Sequence, residues 1–496
     1  MYLGIDCGTQ GTKALLVNAH GHALGRGYAA HALVEKSSGA REQEPRWWVE
    51  AMIAAVREAL LQAGSQSAGV KAIGVSGQQH GLVVLDEAMN VIRPAKLWND
   101  TETEPQNAEL IQRFGGAAGW FERFGLVPRT GYTVSKLLWI KQAHPEDFAR
   151  IRHVLLPHEY LNWWLTGVLC AEPGDASGTG FFDNRTRQWT REVLDFIDGG
   201  TGRLFAALPP LMQSHQAVGS LCSLARAELG MDGDCLVASG GGDNMMGAIG
   251  TGNVRQGVVT LSLGTSSAVY SFSDVPMEDS TGNVAPFCSS SGGWLPLVCT
   301  MNATNVVTST VKLLGKSVND IEAAMTETGP GADGLVFVPF LNGERTPDLP
   351  NARGTLSGVS ALNFTPSHLI RAAVEGVSFG ILNGLDLILR GRPAEVIQVI
   401  GGGARSRAWR QLLADATGAR VTLPVEQESG CLGAAIQACV AWNQVQGHAI
   451  SFEDAVQALT PGASTNLLQP NPELRAGYDA ARRKYAKALA ALYPGS

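Results

Sequence analysis

The chain has 496 residues, of which 45% are apolar and 17% are charged, and its formal net charge is −7. This length predicts two large domains, because a single hydrophobic core stops growing well below it. The mild acidity, without a basic stripe, argues against nucleic-acid binding, and the absence of about 18 consecutive apolar residues and of an export signal argues against a membrane or secreted protein. Eight cysteines without a C-x-x-C pair are typical of buried thiols, so we expect a cytoplasmic protein.

The chain opens with an antiparallel meander. Residues 2–6, 12–18 and 23–33 have the pattern of strands joined by glycine turns, and 47–63 has apolar residues at helical spacing. Residues 71–76 form a short apolar run that ends in a polar loop. Polar side chains after such a strand are typical of ligand sites in α/β proteins.

A second strand and turn resemble the first pair. The strand predicted at 258–263 runs into Gly264-Thr265, as the first strand runs into Gly8-Thr9. The repetition predicts two related domains, each with a Gly-Thr hairpin that could hold one side of a polyphosphate. The predicted domains are residues 1–245 and 246–496.

Asp6 ends the first strand, directly before a turn whose backbone N–H groups can face phosphate oxygens. Phosphoryl transfer needs positioned phosphates, a metal ion and a carboxylate that accepts the proton of the attacking hydroxyl. A carboxylate beside phosphates needs a cation between them, so we assign Asp6 to Mg²⁺. The alternative is a strand-end aspartate that caps its own turn.

Asp243 follows three glycines and precedes a predicted helix, so it could be an N-cap residue. Three glycines are a costly way to build a cap, because each loses extra conformational entropy on folding. Close backbone packing at a ligand site explains them better and leaves Asp243 as the general base.

Two further polar groups are candidates for sugar binding. Gln79 and His80 follow the strand at 71–76, although a single histidine is often structural. Trp98-Asn99-Asp100 offers a flat apolar face with two polar groups, and its alternative is a helix N-cap at Asp100 or Thr101.

The chain resembles the FGGY carbohydrate kinases over nearly its whole length. The motifs that carry this resemblance are Asp6-x-Gly8-Thr9, Gly131 to Trp139, Gly242-Asp243-Asn244, Gly264-Thr265-Ser266, Gly354 to Glu375, and Gly401-Gly402-Gly403-Ala404-Arg405-Ser406. The resemblance implies an α/β fold of two ribonuclease-H-like domains around a cleft, as in actin, hexokinase and the Hsp70 ATPase. It also implies ATP and Mg²⁺ as cofactors.

The resemblance implies a role for individual residues. Asp243 would accept the proton, Asp6 would lie near the metal, and Gln79 and His80 would bind the sugar. The remaining substrate-binding candidates are Trp98, Asn99, Asp100 and Asn244. The residues implied for ATP are Gly8, Thr9, Thr12 and Lys13 in the first hairpin, Gly264 and Thr265 in the second, and Gly402, Gly403, Ala404 and Ser406 along the adenosine.

Residues 76–81, 97–100 and 342–347 most resemble the family members that act on xylulose. This implies D-xylulose as the acceptor and its 5-hydroxyl as the nucleophile, although Gln79 stands where methionine is often expected. A kinase for ribulose, glycerol or gluconate is the nearest competing function. An actin-like or Hsp70-like ATPase that regulates a partner is a candidate from a different class, and so is a non-catalytic sensor. A homodimer is expected at the level of the family.

Overall fold

The structure is a computed structural model, and it describes residues 1–64, 69–231, 233–460 and 466–494. The chain forms two compact units. Unit 1 contains Met1–Val254, Ser273–Leu295 and Glu428–Pro461, and unit 2 contains Arg255–Phe272, Pro296–Gln427 and Gly462–Ser496. This division differs from a single boundary after residue 245, because a late segment of the chain returns to pack in unit 1.

A seven-stranded sheet forms the centre of unit 1. Its strand order is Ala217–Ser220, Leu236–Ala238, Ala72–Gly77, Tyr2–Cys7, Gly11–Val17 and Ala23–Ala30, and Gly241–Gly242 also pairs with Ala72–Gly77. The first three strands in sequence are the predicted antiparallel meander. Tyr2–Cys7 and Ala72–Gly77 run parallel, so the polar loops after both strands lie at one edge of the sheet.

Alternation along the first strand explains why helices cover both faces of this sheet. Leu3 and Ile5 belong to an apolar cluster with the helix Pro45–Ala63. Tyr2 points to the other face and packs in a cluster with the helix Ser429–Val445. Successive strand residues face opposite sides of a sheet, and here both sides are buried.

The other elements of unit 1 surround this sheet. Its further helices are Glu104–Arg113, Gly116–Phe124, Thr133–Ala143, Pro145–Arg150, Pro157–Thr166, Pro173–Ala176, Glu192–Asp198, Arg203–Ala206, Ser223–Leu229, Asp243–Gly250 and Phe452–Leu459. Its short strands are Val34–Glu35, Arg41–Gln43, Val83–Leu85, Ala95–Lys96, His153–Leu155, Phe182–Asp183, Gln188–Trp189 and Ala285–Cys288.

Unit 2 repeats the plan of unit 1. Five strands of a six-stranded sheet run in the order Trp294–Thr300, Ser267–Ser271, Val258–Leu263, Val396–Ile400 and Arg420–Thr422. Three antiparallel strands are again followed by parallel ones. The other elements are the strands Val336–Val338 and Thr355–Ser357, the helices Thr304–Leu313, Asp320–Glu327, Pro366–Leu389, Arg407–Thr417 and Pro472–Leu492, and the 3₁₀ turns Ala332–Gly334 and Gly402–Arg405.

The helix Pro366–Leu389 is long and apolar enough to cross a membrane by length and composition alone, with a mean hydropathy of 1.5. Of its most apolar stretch, 78% is buried inside the protein. The central helix of a folded domain has the same character, because it is covered by protein on most sides.

Candidate active site

Asp6 lies at the sheet edge where the strands Tyr2–Cys7 and Ala72–Gly77 both end. Its Oδ1 accepts a hydrogen bond of 2.6 Å from Ser76 Oγ on the neighbouring strand. The start of the helix Ser429–Val445 comes so close that a methyl group on Gly430 would lie 2.7 Å from Asp6 Oδ2. Burial raises the pKa of Asp6 against the opposing effects of Ser76 and Lys13. The carboxylate therefore bonds to a neighbouring strand, and among the described residues it accepts no hydrogen bond from its own turn.

Asp243 is the first residue of the helix Asp243–Gly250, and the pairing of Gly242 with Gly77 brings it to the same sheet edge. The N-cap position belongs to Gly242, so Asp243 is not itself the cap. Its Oδ1 accepts a hydrogen bond of 2.8 Å from the Asn244 amide. Burial raises the pKa of Asp243 to about 7, helped by the negative charges of Asp6 and Asp175. This side chain can therefore exchange a proton near neutral pH.

Gln79 and Asn244 contact each other beside Asp243. Asn244 Nδ2 donates to Gln79 Oε1 at 2.9 Å and to Asp243 Oδ1 at 3.1 Å. Gln79 is buried, and its Nε2 has no hydrogen-bond partner among the described residues. A buried donor without a partner is costly, so this amide is suited to bind a ligand oxygen.

His80 lies next to Gln79 in the left-handed region of backbone conformation, with φ of 64°. Its Nδ1 is 2.8 Å from the carbonyl oxygen of Gly178. A carbonyl can only accept, so Nδ1 carries a proton and donates to it. The ring stacks on Tyr132 with centroids 4.1 Å apart, and Phe287 lies 5.8 Å away. The histidine is thus held by both its ring and its backbone.

The sequence did not identify Asp175 and His158 as part of this group. Asp175 Oδ2 accepts from His158 Nδ1 at 2.6 Å, and both side chains are fully buried. Asp175 Oδ1 has no partner in the part of the chain that the structure describes, and a methyl group on Gly242 would lie 3.0 Å from it. The only local signal was an aspartate inside the glycine-rich run Gly174 to Gly178.

Among the residues that the structure describes, Asp100 and Asn99 form no hydrogen bond with Asp243, Gln79 or Asn244. Asp100 is buried, and its Oδ2 pairs with Lys96 Nζ at 3.0 Å and accepts from the Arg41 backbone amide at 2.9 Å. Its Oδ1 has no partner among the described residues. The nearby helix begins at Glu104 and is preceded by Thr103, so the prediction of an N-cap at Asp100 or Thr101 is wrong. Asn99 is partly buried, and no described residue bonds to its Oδ1.

Trp98 contacts the first Gly-Thr hairpin. Trp98 is 41% exposed, and its Nε1 donates to Thr9 Oγ1 at 2.9 Å. Thr9 Oγ1 in turn donates to Gln78 Oε1 at 3.1 Å. The hairpin and the polar loop after residue 77 are therefore joined by side-chain hydrogen bonds.

The other residues implied for the first phosphate hairpin have different surroundings. Gly8 closes the turn, with its amide 3.1 Å from the Gly11 oxygen. Thr12 is buried among the strands. Lys13 pairs with Glu428 at 2.6 Å, and both side chains remain partly exposed. A phosphate contact by Lys13 would have to compete with this ion pair.

In unit 2 the second Gly-Thr turn lies beside the glycine run at 401–403. The strands before them are parallel neighbours, and a methyl group on Gly401 would lie 2.7 Å from the Leu263 oxygen. Thr265 and Gly402 are exposed, whereas Gly403 and Ala404 are buried. Ser406 Oγ accepts from the Trp409 amide and donates to Glu322, so this hydroxyl caps the helix Arg407–Thr417. The exposed backbone at Gly402 remains available to a ligand.

The acidic residues around Asp6 are compatible with a magnesium ion. Among the described residues no group of three or more His, Cys, Asp or Glu side chains could form a metal site. Magnesium at a phosphate site uses one or two carboxylates together with phosphate oxygens and water. Asp6 and Asp243 repel each other enough to raise the pKa of Asp243, and a cation would relieve that repulsion.

Comparison with known proteins connects this geometry to a family. Residues 1–250 match the model of the N-terminal domain of the FGGY family of carbohydrate kinases, and residues 259–442 match its C-terminal domain. Xylulose kinase of Haemophilus influenzae is 42% identical over 99% of this chain and 100% of its own length.

Solved structures of carbohydrate kinases are also similar to this chain. The crystal structure of xylulose kinase from Bifidobacterium adolescentis is 32% identical, covers 98% of this chain and 99% of that one, and has a TM-score of 0.83. The crystal structure of gluconate kinase from Lactobacillus acidophilus covers 99% of this chain and 98% of its own, with a TM-score of 0.90. At 24% identity, that likeness concerns the fold alone.

Proposed function

We propose that this chain, which belongs to the FGGY family of carbohydrate kinases, transfers the γ-phosphoryl group of ATP to the 5-hydroxyl of D-xylulose. The expected fold of two actin-like and hexokinase-like domains is confirmed, and ATP is the phosphoryl donor of the family. The choice of D-xylulose is supported by relatives named xylulose kinase at 42% and 40% identity.

One observation carries the assignment of the sugar site. Gln79 Nε2 is a buried donor without a partner among the described residues, and Asn244 connects Gln79 to the candidate base Asp243. A sugar hydroxyl bound to this amide would lie close to Asp243. His80, which follows Gln79 directly, would lie beside the same sugar.

Asp243 would take the proton of the attacking hydroxyl. A general base works best when its pKa is close to the working pH, and burial brings the pKa of Asp243 to about 7. Asn244 supports this role because its amide and side chain both donate to Oδ1 and fix the direction of the carboxylate.

Asp6 would hold Mg²⁺, and the turn after Asp6 would receive the phosphates. The bound ion would neutralise phosphate charge during transfer. The Gly8 N–H is bonded to the Gly11 oxygen within this turn, so Gly8 would shape the turn without donating to a phosphate. In unit 2, the N–H groups of Gly264-Thr265 would face phosphate oxygens, and the exposed Gly402 would lie along the adenosine. Trp98, joined to Thr9, would border the sugar side of this hairpin.

The first experiment is a coupled ADP-release assay with MgATP and D-xylulose, L-xylulose, D-ribulose, L-ribulose, glycerol and gluconate, with a sugar-free control. Strong stimulation by D-xylulose supports the proposal. Preference for another polyol would support the assignment as a kinase but change the assigned substrate. Sugar-independent ATP turnover would favour an ATPase that regulates a partner.

The matched variants are Asp243→Ala and Asp234→Ala. We expect the first to lose phosphoryl transfer by about 100-fold or more while still binding ATP, because it removes a base and leaves the fold in place. Asp234 is 95% exposed and serves as the control. Near wild-type turnover in Asp243→Ala would disprove the base assignment. The cytoplasmic location and the homodimer remain predictions, to be checked by cell fractionation and by sedimentation.

A further inference from the structure

Lys136 is a buried lysine in unit 1 with no carboxylate partner among the described residues. It is the fourth residue of the helix Thr133–Ala143, and its side chain is fully buried. Its Nζ donates to the carbonyl oxygen of His80 at 2.6 Å and to that of Gly131 at 2.7 Å. The charged groups that influence it from neighbouring elements are Asp100, which favours the ammonium, and Lys96, which opposes it.

This placement costs free energy. Burial lowers the pKa of Lys136 to about 7, because the charged form has lost its water. The first turn of a helix also carries partial positive charge, which disfavours a cation there. By contrast, the buried Lys96 forms ion pairs with Glu42, Asp100 and Glu102. Among the described residues, the hydrogen-bond partners of Lys136 Nζ are two carbonyl oxygens. We therefore ask which structural elements these two hydrogen bonds hold in place.

The two carbonyls belong to the backbone segments that carry two stacked rings. His80 has a φ of 64°, and Thr133 Oγ1 also donates to its oxygen at 3.2 Å. Gly131 directly precedes Tyr132, whose ring stacks on that of His80 at 4.1 Å. One lysine nitrogen therefore connects the loop that carries His80 to the turn that carries Tyr132.

We propose that Lys136 is a positioning residue for sugar binding: it fixes the His80 loop against the Tyr132 turn through two backbone carbonyls, without touching the substrate. The inference rests on the proposed function, because His80 matters as a sugar contact only in a sugar kinase. An amine that has lost its charge still has two N–H groups for the two carbonyls, so the connection does not require the ammonium.

The test compares Lys136→Met, which removes both donors with little change in size, with Lys136→Gln, whose shorter amide retains one of the two bonds. Lys141→Met is the control, because Lys141 lies on the same helix and is partly exposed. We expect KM for D-xylulose to rise about tenfold in Lys136→Met and about threefold in Lys136→Gln. We expect kcat and the Kd of ATP to change less than about twofold, which a general loss of structure would not produce.

A second measurement does not depend on the sugar. With ¹³C-labelled histidine, the His80 ring resonance, assigned by its loss in His80→Gln, should be displaced by the Tyr132 ring current in the wild type and in Lys141→Met. It should move toward the exposed-histidine range in Lys136→Met and partly so in Lys136→Gln. If Lys136→Met does not fold, the KM and the His80 resonance of Lys136→Gln alone test the inference.

The outcomes separate the two proposals. A wild type that phosphorylates no ketose contradicts the proposed function, while the His80 resonance still tests Lys136. A folded Lys136 variant with wild-type KM and an unchanged His80 resonance overturns the inference, as does an equal loss of ATP and sugar binding.

Discussion

Replacing Asp243 with asparagine should abolish phosphoryl transfer and at the same time stabilise the metal-free protein at alkaline pH. Burial, with the charges of Asp6 and Asp175, raises the pKa of Asp243 from 3.8 to about 7. The folded protein therefore disfavours the charged carboxylate more than the unfolded chain does. The ionised Asp243 therefore lowers the free energy of unfolding. This loss is absent below pH 3.8, grows as the pH rises, and is complete above pH 7.

The size of the effect follows from the change in proton affinity. Each tenfold change corresponds to about 1.4 kcal/mol, so the move from 3.8 to about 7 corresponds to at most about 4 kcal/mol. Asp243 is partly exposed, and screening by water reduces this figure. We expect Asp243→Asn to raise the free energy of unfolding by about 2 kcal/mol at pH 8.

The assay is denaturant unfolding in EDTA, without nucleotide, at pH 4 and pH 8, with Asp234→Asn as the control. We expect Asp243→Asn to gain stability at pH 8 and to match the wild type at pH 4. Its turnover with D-xylulose should fall by about 100-fold or more. Equal stability at both pH values, or a loss at pH 8, would refute the claim that this carboxylate is held under strain by burial and like charge.

Three further substitutions test neighbouring groups of the site, and a fourth tests a buried pair behind it. Asp6→Asn should lower kcat by about 100-fold and raise the Mg²⁺ concentration needed for half-maximal rate; an unchanged Mg²⁺ dependence would refute the metal assignment. Gly242→Ala places a methyl group 2.8 Å from Gln79 Cγ, so KM for the sugar should rise about tenfold, whereas an unchanged KM would show that Gln79 is not a contact. Asp175→Asn removes a negative charge that raises the pKa of Asp243, so the acid limb of kcat/KM should move to lower pH; a shift to higher pH would contradict this electrostatic coupling. His158→Ala leaves the buried Asp175 without its partner and should cost about 3 kcal/mol of stability, measured by urea unfolding.

Residues at strand ends could be predicted from the sequence, because the signal there is local. An apolar run that stops at a glycine turn indicates both the strand and the edge where its last polar residue lies. Asp6, Gln79 and Asp243 were placed in this way, and the structure brings them to one sheet edge. The likeness of the two Gly-Thr hairpins predicted two related domains, and the strand order that the two units share is a finding of the structure.

Partners that lie far apart in sequence could not be predicted. Asp100 looked like a sugar contact or a helix cap, and only the fold shows that Lys96 and the Arg41 backbone amide both bond to its Oδ2. Asp175 and His158 come from different helices, and nothing in their local sequence indicates that they meet. Lys136 stood within a recognised motif, but its role depends on a carbonyl 56 positions away.

The return of Glu428–Pro461 to unit 1 has a consequence for how the protein is made. The helix Ser429–Val445 covers one face of the first sheet, where Tyr2, Leu15 and Ile249 pack with Leu432 and Ile436. A ribosome that has completed only the first half of the chain has therefore produced a sheet with one apolar face uncovered. The nascent protein must keep that face from aggregating until Ser429–Val445 emerges. A fragment that ends near residue 254 should be insoluble for the same reason.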